Sequence, residues 1–365
     1  MTTAALDFET TKKPNHMPWL PGAHVVTANL MDIHTKERWH FIFKHNEYHG
    51  SYLEAVDNFK QRLNNFRRLI AHNGKFECHW LLALGIDPLD FDWWCTLVAE
   101  YTLRYQLRIQ DLSLDDLAKD RGLPPKLDKV KAMWESGYET TEIPLKLLVP
   151  YGNMDTTLAA AIAVQQRDEC LKRGIAPLIN QEMMLVPRLA HAERNGMKLN
   201  LDKLRQYEIQ YTRMIEDIEA RLQALYGLEE IYYEDKGQRK SIFDSSKKVT
   251  TLLYSTGKIK FTPTKKNTGE PFLSQQTDIL KQLVTPTKEH KEVIKLLLER
   301  SRLAQMRKTF FTGLQKRAVG DYVHHNLNQA IAATSRLTCS DPNLQNQPRG
   351  TTGPVKECFE TRYYV

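Results

Sequence analysis

Residues 2–10, TTAALDFET, open the chain with an apolar run that ends on two carboxylates. Such a run is typical of a β-strand, in which side chains two positions apart point to the same face. Asp7 and Glu9 should therefore converge, and two carboxylates at a strand end can bind a hard divalent cation. Alone, this D-x-E pattern is weak, because the chain has 44 acidic residues and repeats a similar spacing at Asp90 and Asp92.

The first part of the chain mixes strands with helices. Strands are predicted at residues 2–8 and 38–43, and helices at 51–70, 76–84 and about 155–172. Gly174 follows the last of these helices, where a C-terminal stop is expected. This mixture predicts an α/β domain.

The second part is mainly helical. A long amphipathic helix is predicted over residues 201–226, with Asn200 as its N-cap, and another over about 288–317. The residues between them, 229–285, are irregular, basic and rich in turns. Residues 322–338 look extended.

Composition limits the class of protein. With 365 residues, 41% of them apolar, the chain is long enough for two or three globular domains. No run approaches eighteen uninterrupted apolar residues and the first residues show no secretory signal, so neither a transmembrane helix nor a membrane partner is expected. The five cysteines are scattered and never in CxxC spacing, which favours reduced thiols in a cytoplasm over disulfides or zinc ligands.

The positive charge is concentrated in one segment. Residues 236–316 contain 18 of the 51 basic and 6 of the 44 acidic residues, a net charge of +12, which leaves −5 for the rest. A basic segment beside a mildly acidic one suggests a polyanionic partner for one domain and carboxylate chemistry in another. A solvated, lysine-rich helical face is the alternative interpretation.

Two further groups of polar residues accompany the first carboxylates. Tyr151 and Asp155 stand at positions i and i+4 where a helix is predicted, so both can face one site. An N-terminal cap with a packed tyrosine is the structural alternative. Residues 71–77, AHNGKFE, interrupt an apolar run and end on Glu77, although an ordinary polar loop before a helix would have the same composition.

Together these motifs resemble the 3′–5′ exonuclease (proofreading) domain of family A, DNA polymerase I-like enzymes, of the DEDDy class. The family's three motifs match D-x-E at residue 7, N-x-x-F-E at residue 73 and Y-x-x-x-D at residue 151, in the family's order. The resemblance implies an RNase H-like fold and two Mg²⁺ or Mn²⁺ ions, which would be held by Asp7, Glu9, Glu77 and Asp155. It also implies that Tyr151 orients the attacking water and that Thr10 and Asn73 contact the terminal nucleotide.

One residue departs from the family pattern. Glu77 stands where the family has aspartate, and its side chain reaches one methylene further. Catalytic sites depend on sub-ångström placement of their ligands, so the substitution predicts a working nuclease with an altered rate. An inactivated nuclease is the alternative.

The resemblance continues into the polymerase portion of the same family from residue 181 onwards. The two long helices, with a basic region between them, are similar to its thumb, which grips duplex DNA. Segments 243–248 and 263–269 are similar to thumb-tip segments that touch phosphates, which would make binding depend on salt. Lys308 lies near a family motif and is expected to contact DNA.

The most specific match is residues 334–349, TSRLTCSDPNLQNQPR, which resemble a conserved family segment, with Ser335 and Gln347 as polar departures. The alternative is a polar loop with ordinary turn residues. Amide and guanidinium groups suit the hydrogen-bond acceptors of the minor groove, which distinguish base pairs poorly. The contacts to a primer–template that the resemblance implies are Arg336, Asn343, Gln345, Asn346 and Arg349.

The motifs for nucleotidyl transfer in this family, a D-Y-S segment, a fingers helix and an H-D-E turn, are absent from the 365 residues. The sequence therefore predicts a truncated polymerase, or one part of a split polymerase whose second polypeptide brings palm and fingers. Residues 363–365 would form a strand that needs this partner. The chain resembles phage members, so its location would be the cytoplasm of the host cell.

The predicted organisation is an α/β exonuclease domain at residues 1–178, a helical thumb at 179–317 and the start of an α+β palm at 318–365. The leading functional hypothesis is the N-terminal part of a family A DNA polymerase, with a proofreading exonuclease and primer–template binding. The alternatives are a stand-alone 3′–5′ exonuclease and a non-catalytic subunit that binds primer–template DNA.

Overall fold

A computed structural model describes residues 2–12, 17–106, 112–125, 128–261, 280–281, 283–349 and 353–360. The chain forms two compact units. The first consists of Met1–Gly196 and His324–Asn346, and the second of Met197–Val323 and Gln347–Val365. The predicted thumb-tip segment 263–269 and the predicted strand at 363–365 lie outside the described residues.

A five-stranded sheet forms the centre of the first unit. Its strands are β1 (Thr3–Thr10), β2 (Val25–Asp32), β3 (Arg38–Ile42), β4 (Arg68–Ala71) and β5 (Asp92–Cys95), in the order β3-β2-β1-β4-β5. β1, β2 and β3 pair antiparallel, and β1, β4 and β5 pair parallel. The strands predicted at 2–8 and 38–43 are thus confirmed.

Helices cover the sheet and bury its side chains. They are α1 (Tyr52–Leu63), α2 (Lys75–Ala83), α3 (Thr96–Leu103), α4 (Leu114–Asp120), α5 (Asp128–Glu135), α6 (Leu145–Arg173) and α7 (Ala176–Asn195). The main core contains apolar residues of β1, β2 and β4 together with α1, α2, α6 and α7. Phe8 packs edge-on against Phe59 of α1, with ring centroids 5.5 Å apart, which shows how closely sheet and helix approach.

The helix predicted over residues 51–70 is too long. α1 begins after Ser51, whose side chain accepts a hydrogen bond from the main-chain N–H of Glu54, and it ends at Leu63. Leu69 and Ile70, which continued the apolar pattern, belong to β4 and are buried. A short apolar strand that is buried on both faces cannot be distinguished from a helix by periodicity alone.

The helix predicted from residue 155 begins ten residues earlier. Pro150 and Gly152 look like helix breakers, yet both lie inside α6. Leu148 packs in a small core with Val26, Val130 and Ile143, and this burial stabilises the first turns. α6 ends where predicted, because Gly174 adopts the left-handed conformation at φ 68°.

α6 also has the length and composition of a membrane-crossing helix, although half of its apolar stretch is buried inside the unit. No membrane-crossing helix was expected because the sequence has no long uninterrupted apolar run. α6 nevertheless reaches the mean hydropathy of such a helix.

Helices also dominate the second unit. They are α8 (Leu201–Tyr226), α9 (Ser246–Thr251), α10 (Lys288–Met306) and α11 (Thr312–Arg317), with a π-helical turn at Arg307–Phe311. α8 begins after Asn200, whose side chain accepts from the N–H of Lys203, as the predicted N-cap requires. α8 and α10 pack together. The prediction of two long helices is confirmed, apart from the π turn.

Short strands complete both units. In the second unit, β6 (Met197–Leu199), β9 (Ala318–Val319), β10 (Tyr322–Val323) and β13 (Phe359–Glu360) form one sheet, and β7 (Tyr232–Asp235) and β8 (Gln238–Ser241) form a hairpin. In the first unit, β11 (Asn326–Asn328) pairs antiparallel with β12 (Thr338–Ser340). The extended stretch predicted at 322–338 is therefore interrupted, because residues 329–337 form no strand.

The two units divide the chain differently from the three predicted domains. α7 lies in the first unit, although the predicted boundary at residue 178 falls inside it. Residues 324–346, placed in the palm by the sequence, also belong to the first unit. The assignment of exonuclease, thumb and palm to the three segments stays a prediction.

Candidate metal centre and nucleic-acid-binding residues

Three carboxylates meet at the end of β1. Asp7 and Glu9 come from that strand, and Asp155 comes from α6. One oxygen from each lies within 4.8 Å of the other two. Glu9 and Asp155 are each only 8% exposed. Anionic groups held this closely repel one another, and a divalent cation with oxygen ligands relieves that repulsion, so this donor set fits Mg²⁺ or Mn²⁺.

Glu77, on α2, is buried beside this carboxylate group. Its side chain is 2% exposed, and its Oε2 has no hydrogen-bond partner among the described residues. Burial raises the pKa of Glu77 well above its ordinary value, and the negative charges of Asp7 and Asp155 raise it further. Without a cation Glu77 therefore holds a proton more tightly than an exposed glutamate does.

Tyr151 lies one helical turn before Asp155, so both start from the same face of α6. Its ring packs edge-on against Trp134, with centroids 5.4 Å apart. This contact restricts the orientation of the tyrosine ring. The role of the hydroxyl in orienting water stays a prediction.

Asn29 and His40 were missed by the sequence analysis. Across the sheet, Asp7 lies opposite Asn29, and Asn29 lies opposite His40. Asn29 is 1% exposed, and its Oδ1 is 3.0 Å from Nδ1 of His40. A signal was present, because Thr27 and Asn29 are polar residues two apart in an apolar strand, the same spacing as Asp7 and Glu9.

The two residues expected to contact a terminal nucleotide differ in exposure. Thr10 is 4% exposed, follows an irregularity in the β1–β2 register, and its carbonyl accepts a 2.7 Å bond from the Thr140 hydroxyl. Asn73 is exposed, adopts the left-handed conformation at φ 59°, and lines a cavity of about 170 Å³. Asn73 is thus available to a ligand, whereas the side chain of Thr10 is enclosed.

A buried ionic cluster surrounds Lys75, the residue between Asn73 and Glu77 in the second motif. Lys75 Nζ donates to Glu193 Oε1 and Asn326 Oδ1, both at 2.6 Å, and to the Leu327 carbonyl at 2.5 Å. The N–H of Leu327 donates to Glu193 Oε1 at 2.5 Å, and the other oxygen, Oε2, lies 2.6 Å from His79 Nε2. These contacts join α2, α7 and β11 within the first unit.

The charge on Glu193 is stabilised by that cluster. Burial opposes the ionisation of Glu193, but the His79 hydrogen bond and the positive charge of Lys75 outweigh it, so the pKa of Glu193 is lowered. The side chain is 1% exposed. A buried carboxylate paired in this way is costly to disturb, because removing one partner leaves a buried charge without compensation.

The amide-rich loop after β12 presents its polar side chains to solvent. The predicted contacts in this loop, Asn343, Gln345, Asn346 and Arg349, are all exposed, as is Arg336, which precedes β12. Cys339, 7% exposed, anchors the loop, because the N–H of Leu344 donates to its Sγ at 3.4 Å. Asn343 shapes the loop as well, since its Oδ1 accepts from the N–H groups of Gln345 and Asn346. These amides are therefore accessible from solvent, and their contact with DNA stays a prediction.

Lys308 is exposed in the second unit and lies on the π-helical turn. Single π turns within a helix are frequent at functional sites, and this one was not predicted. Of the segment predicted to form part of the thumb tip, Phe243 is 1% exposed, whereas Lys247 and Lys248 are exposed at the start of α9. The exposed lysines, and not the whole segment, are available for phosphate contacts.

Comparison with known proteins places the second part of the chain in a family. Residues 205–363 match the family model for DNA polymerase family A. The match covers less than half of the 365 residues, so it assigns this segment, and not the whole chain, to a family A DNA polymerase domain.

Its relatives include bacterial and phage polymerases. DNA polymerase I of Treponema pallidum is 26% identical over 85% of this chain and 30% of its own length. DNA polymerase DpoZ of Salmonella phage PMBT28 is 24% identical over 81% of this chain and 49% of its own. DNA polymerase I of Geobacillus stearothermophilus is 30% identical over 47% of this chain and 18% of its own. The chain therefore spans half or less of the length of these relatives.

A solved structure shares the fold. The POL domain of Pol1 from M. smegmatis, in complex with a DNA primer–template and dNTP, superposes with a TM-score of 0.70. The superposition covers 98% of this chain and 54% of the other, at 18% sequence identity. At that identity the likeness establishes the fold alone, so the activity must be argued from the residues of this chain.

Proposed function

We propose that this chain takes part in DNA replication as a 3′–5′ DNA exonuclease and primer–template-binding protein. The observation that carries the nuclease proposal is the group formed by Asp7, Glu9 and Asp155, with ligand oxygens within 4.8 Å. The order and directions of the five-stranded sheet support an RNase H-like exonuclease fold for the first unit.

Each residue has a part in the proposed phosphodiester hydrolysis. Asp7, Glu9, Glu77 and Asp155 would hold two divalent ions, Mg²⁺ or Mn²⁺. When bound, two such ions neutralise the charge that develops on the attacking and leaving oxygens. Glu77 would have to release its proton to solvent in order to serve as a ligand, and the Tyr151 hydroxyl would orient the attacking water. Asn73, the exposed first residue of the second motif, would contact the terminal nucleotide.

The amide-rich loop supports primer–template binding. Its exposed amides and Arg336 suit the minor-groove acceptors, which are similar in all base pairs. A protein that acts at any primer end needs contacts of this kind, because it must bind independently of sequence. The exposed lysines of the second unit, including Lys308, would neutralise phosphates.

Nucleotidyl transfer requires palm and fingers motifs that are not among these 365 residues. We therefore expect primer extension only where those motifs are supplied, in the same polypeptide or by a second one. The odd number of buried, free cysteines is consistent with the proposed location in a cytoplasm, that of a host cell for a phage protein.

A second candidate function is a non-catalytic subunit that binds primer–template DNA. Glu77 favours it, because the residue is buried, holds its proton tightly and replaces the family's aspartate. A stand-alone exonuclease is less well supported, since such an enzyme has no evident use for the amide-rich loop.

Digestion of 5′-labelled single-stranded DNA tests the proposal. The purified chain with Mg²⁺ or Mn²⁺ should produce a ladder shortened from the 3′ end. Asp7→Ala should lower the rate by at least about 100-fold, whereas Asp90→Ala, which alters the exposed D-x-D pair, should leave it unchanged. A ladder that persists in Asp7→Ala would exclude the assigned site, and DNA binding without a ladder would favour the non-catalytic subunit.

A further inference from the structure

We propose that Asn29 is a positioning residue for the metal centre. Its carboxamide fills the space between β1 and α6 and sets the separation of the carboxylates that these elements carry. The kinetic part of its test rests on the proposed exonuclease function, whereas the cation-binding part does not.

The position of Asn29 follows from the register of the sheet. Asp7, Asn29 and His40 are direct neighbours across three antiparallel strands. Directly paired residues of neighbouring strands project their side chains from the same face. Asn29 therefore shares its face with a proposed metal ligand, and at 1% exposure its carboxamide is enclosed by protein.

His40 fixes which way the carboxamide points. The Asn29 carbonyl oxygen can only accept, so His40 carries its ring proton on Nδ1, and the Asn153 amide lies 3.5 Å from the other ring nitrogen, Nε2. Nδ1 then donates to Asn29 Oδ1 at 3.0 Å. Burial and the charge of Arg38 lower the pKa of His40, which favours this neutral form. The Oδ1 of Asn29 therefore faces His40, and its Nδ2 faces the opposite way.

The Nδ2 of Asn29 points into the gap beside Gly152, the residue that follows Tyr151 in α6. A Cβ atom built on Gly152 would lie 2.0 Å from this nitrogen and 3.2 Å from Asp7 Oδ2. Real Cβ atoms do not approach other atoms as closely as 2.0 Å, so a Cβ atom at position 152 would force the Asn29 side chain to move. The Asn29 nitrogen is buried and has no hydrogen-bond partner among the described residues.

β3, the strand next to β2, contacts the same turn of α6 through Arg38. Arg38 donates to the Asn153 carbonyl at 3.1 Å and to the Thr157 hydroxyl at 2.9 Å, on either side of Asp155. Asn29 thus acts as a spacer, while Arg38 acts as a clamp. Together they determine how near Asp155 comes to Asp7. When a cation draws Asp7, Glu9 and Asp155 together, the buried Nδ2 of Asn29 can donate a hydrogen bond to one of their oxygens.

Cation binding in the full chain tests the proposal, with Mn²⁺ as the probe and electron paramagnetic resonance as the readout. Asn29→Ala should weaken Mn²⁺ binding about tenfold or more, as loss of a group that orients metal ligands does. In DNA digestion the same variant should lower kcat and leave KM nearly unchanged, because Asn29 touches no substrate. Unchanged Mn²⁺ affinity in Asn29→Ala would overturn the proposal.

A double variant of Asn29 and Gly152 distinguishes a specific effect on the spacing of the carboxylates from a general loss of stability. Gly152→Ala should also weaken Mn²⁺ binding, because its new Cβ meets Asn29. In the Asn29→Ala, Gly152→Ala double variant the contact with Asn29 is gone and the 3.2 Å approach to Asp7 Oδ2 remains, so the combined loss of affinity should be clearly smaller than the product of the two single losses. Losses that multiply in the double variant would show that Asn29 is not the atom group that Gly152 must avoid, and would overturn the proposal.

Gln166→Ala is a matched control. Gln166 is a fully buried amide on α6 that bonds Trp94, Thr96 and Glu100, and its hydrogen bonds among the described residues do not include Asp7, Glu9 or Asp155. Its loss should lower stability without changing Mn²⁺ affinity, and an equal loss of affinity would overturn the proposal. If the wild-type chain binds Mn²⁺ as predicted but degrades no DNA, the exonuclease function fails while the role of Asn29 stands.

Discussion

Glu77 is the residue whose chemistry depends most on its surroundings. Its pKa is raised by burial, then by Asp7 and Asp155, so the folded state binds a proton at Glu77 more tightly than the unfolded state does. The resulting stabilisation is complete below the unfolded pKa, near 4.5, and is lost as the pH rises through the raised folded value. Metal-free protein should therefore become less stable as the pH rises.

Glu77→Gln removes that dependence. At pH 8 without divalent cations, the variant should be more stable than the wild type by about 1 kcal/mol or more, since one pKa unit corresponds to that free energy. The gain should vanish near pH 4.5 and be reversed by Mg²⁺. Urea denaturation followed by tryptophan fluorescence measures it, because all six tryptophans lie in the first unit. A gain that is independent of pH would contradict the assignment.

Part of the site could be predicted from spacing. Alternation in a strand was sufficient to bring Asp7 and Glu9 together, and the i, i+4 spacing placed Tyr151 and Asp155 on one side of α6. The burial of Glu77 could not be predicted, because it depends on how α2 packs. The proposed role of Asn29 could not be predicted either, because it depends on the pairing of Asn29 with Asp7 across the sheet and on the close approach of Gly152.

At the scale of elements, one buried arginine connects α10 to α8 and to residues 243–244 in the second unit. Arg300 on α10, 6% exposed, donates to Glu219 on α8 at 2.9 Å, to the Phe243 carbonyl at 3.0 Å and to Asp244 at 2.5 Å. Arg300→Met should destabilise this unit by about 3–5 kcal/mol, because it leaves Glu219 buried without its partner. Hydrogen exchange of α8 and α10, read by mass spectrometry, should show the loss.

An exposed ion pair provides the control for Arg300. Arg205 bonds Asp202 at 3.0 Å on the surface of α8, with side chains 62% and 93% exposed. Arg205→Met should change stability by less than about 1 kcal/mol. Equal effects of the two variants would mean that burial does not determine the importance of Arg300.

The end of α6 tests a purely conformational effect. Gly174 has φ 68°, and a Cβ at this position would meet no atom within 4 Å. Gly174→Ala should therefore destabilise the first unit by about 1 kcal/mol through backbone strain alone, and Gly174→Asn by less. The shift of the urea midpoint measures both. An alanine variant as stable as the wild type would show that the helix end rearranges.

Elements were predictable where caps and periodicity agreed. Asn200 and Gly174 marked helix ends correctly because side-chain capping and left-handed glycine are local effects. Boundaries failed where packing overrode local signals. Burial of Leu148 extends α6 through Pro150, and pairing with β1 and β5 makes Leu69 part of a strand.

At the scale of the whole molecule, charge is the property that binding should reveal. Affinity for a primer–template duplex should fall steeply with salt, because each neutralised phosphate releases a counterion. Lys308→Ala should reduce the slope of log Kd against log salt by about 1, whereas Lys129→Ala, an exposed lysine of the first unit, should not. Fluorescence anisotropy measures both slopes. A slope that Lys308→Ala leaves intact would remove Lys308 from the interface.

The sequence order of the first unit also has a consequence during synthesis. Residues 324–346 complete this unit, yet they are made only after residues 197–323, which belong to the second. At typical elongation rates of about 5–20 residues per second, the delay is roughly 6 to 25 seconds. Until then Lys75 and Glu193 lack Asn326 and Leu327. In a nascent chain, α2 and α7 should therefore lack their hydrogen bonds to β11 until the ribosome has translated the helices of the second unit.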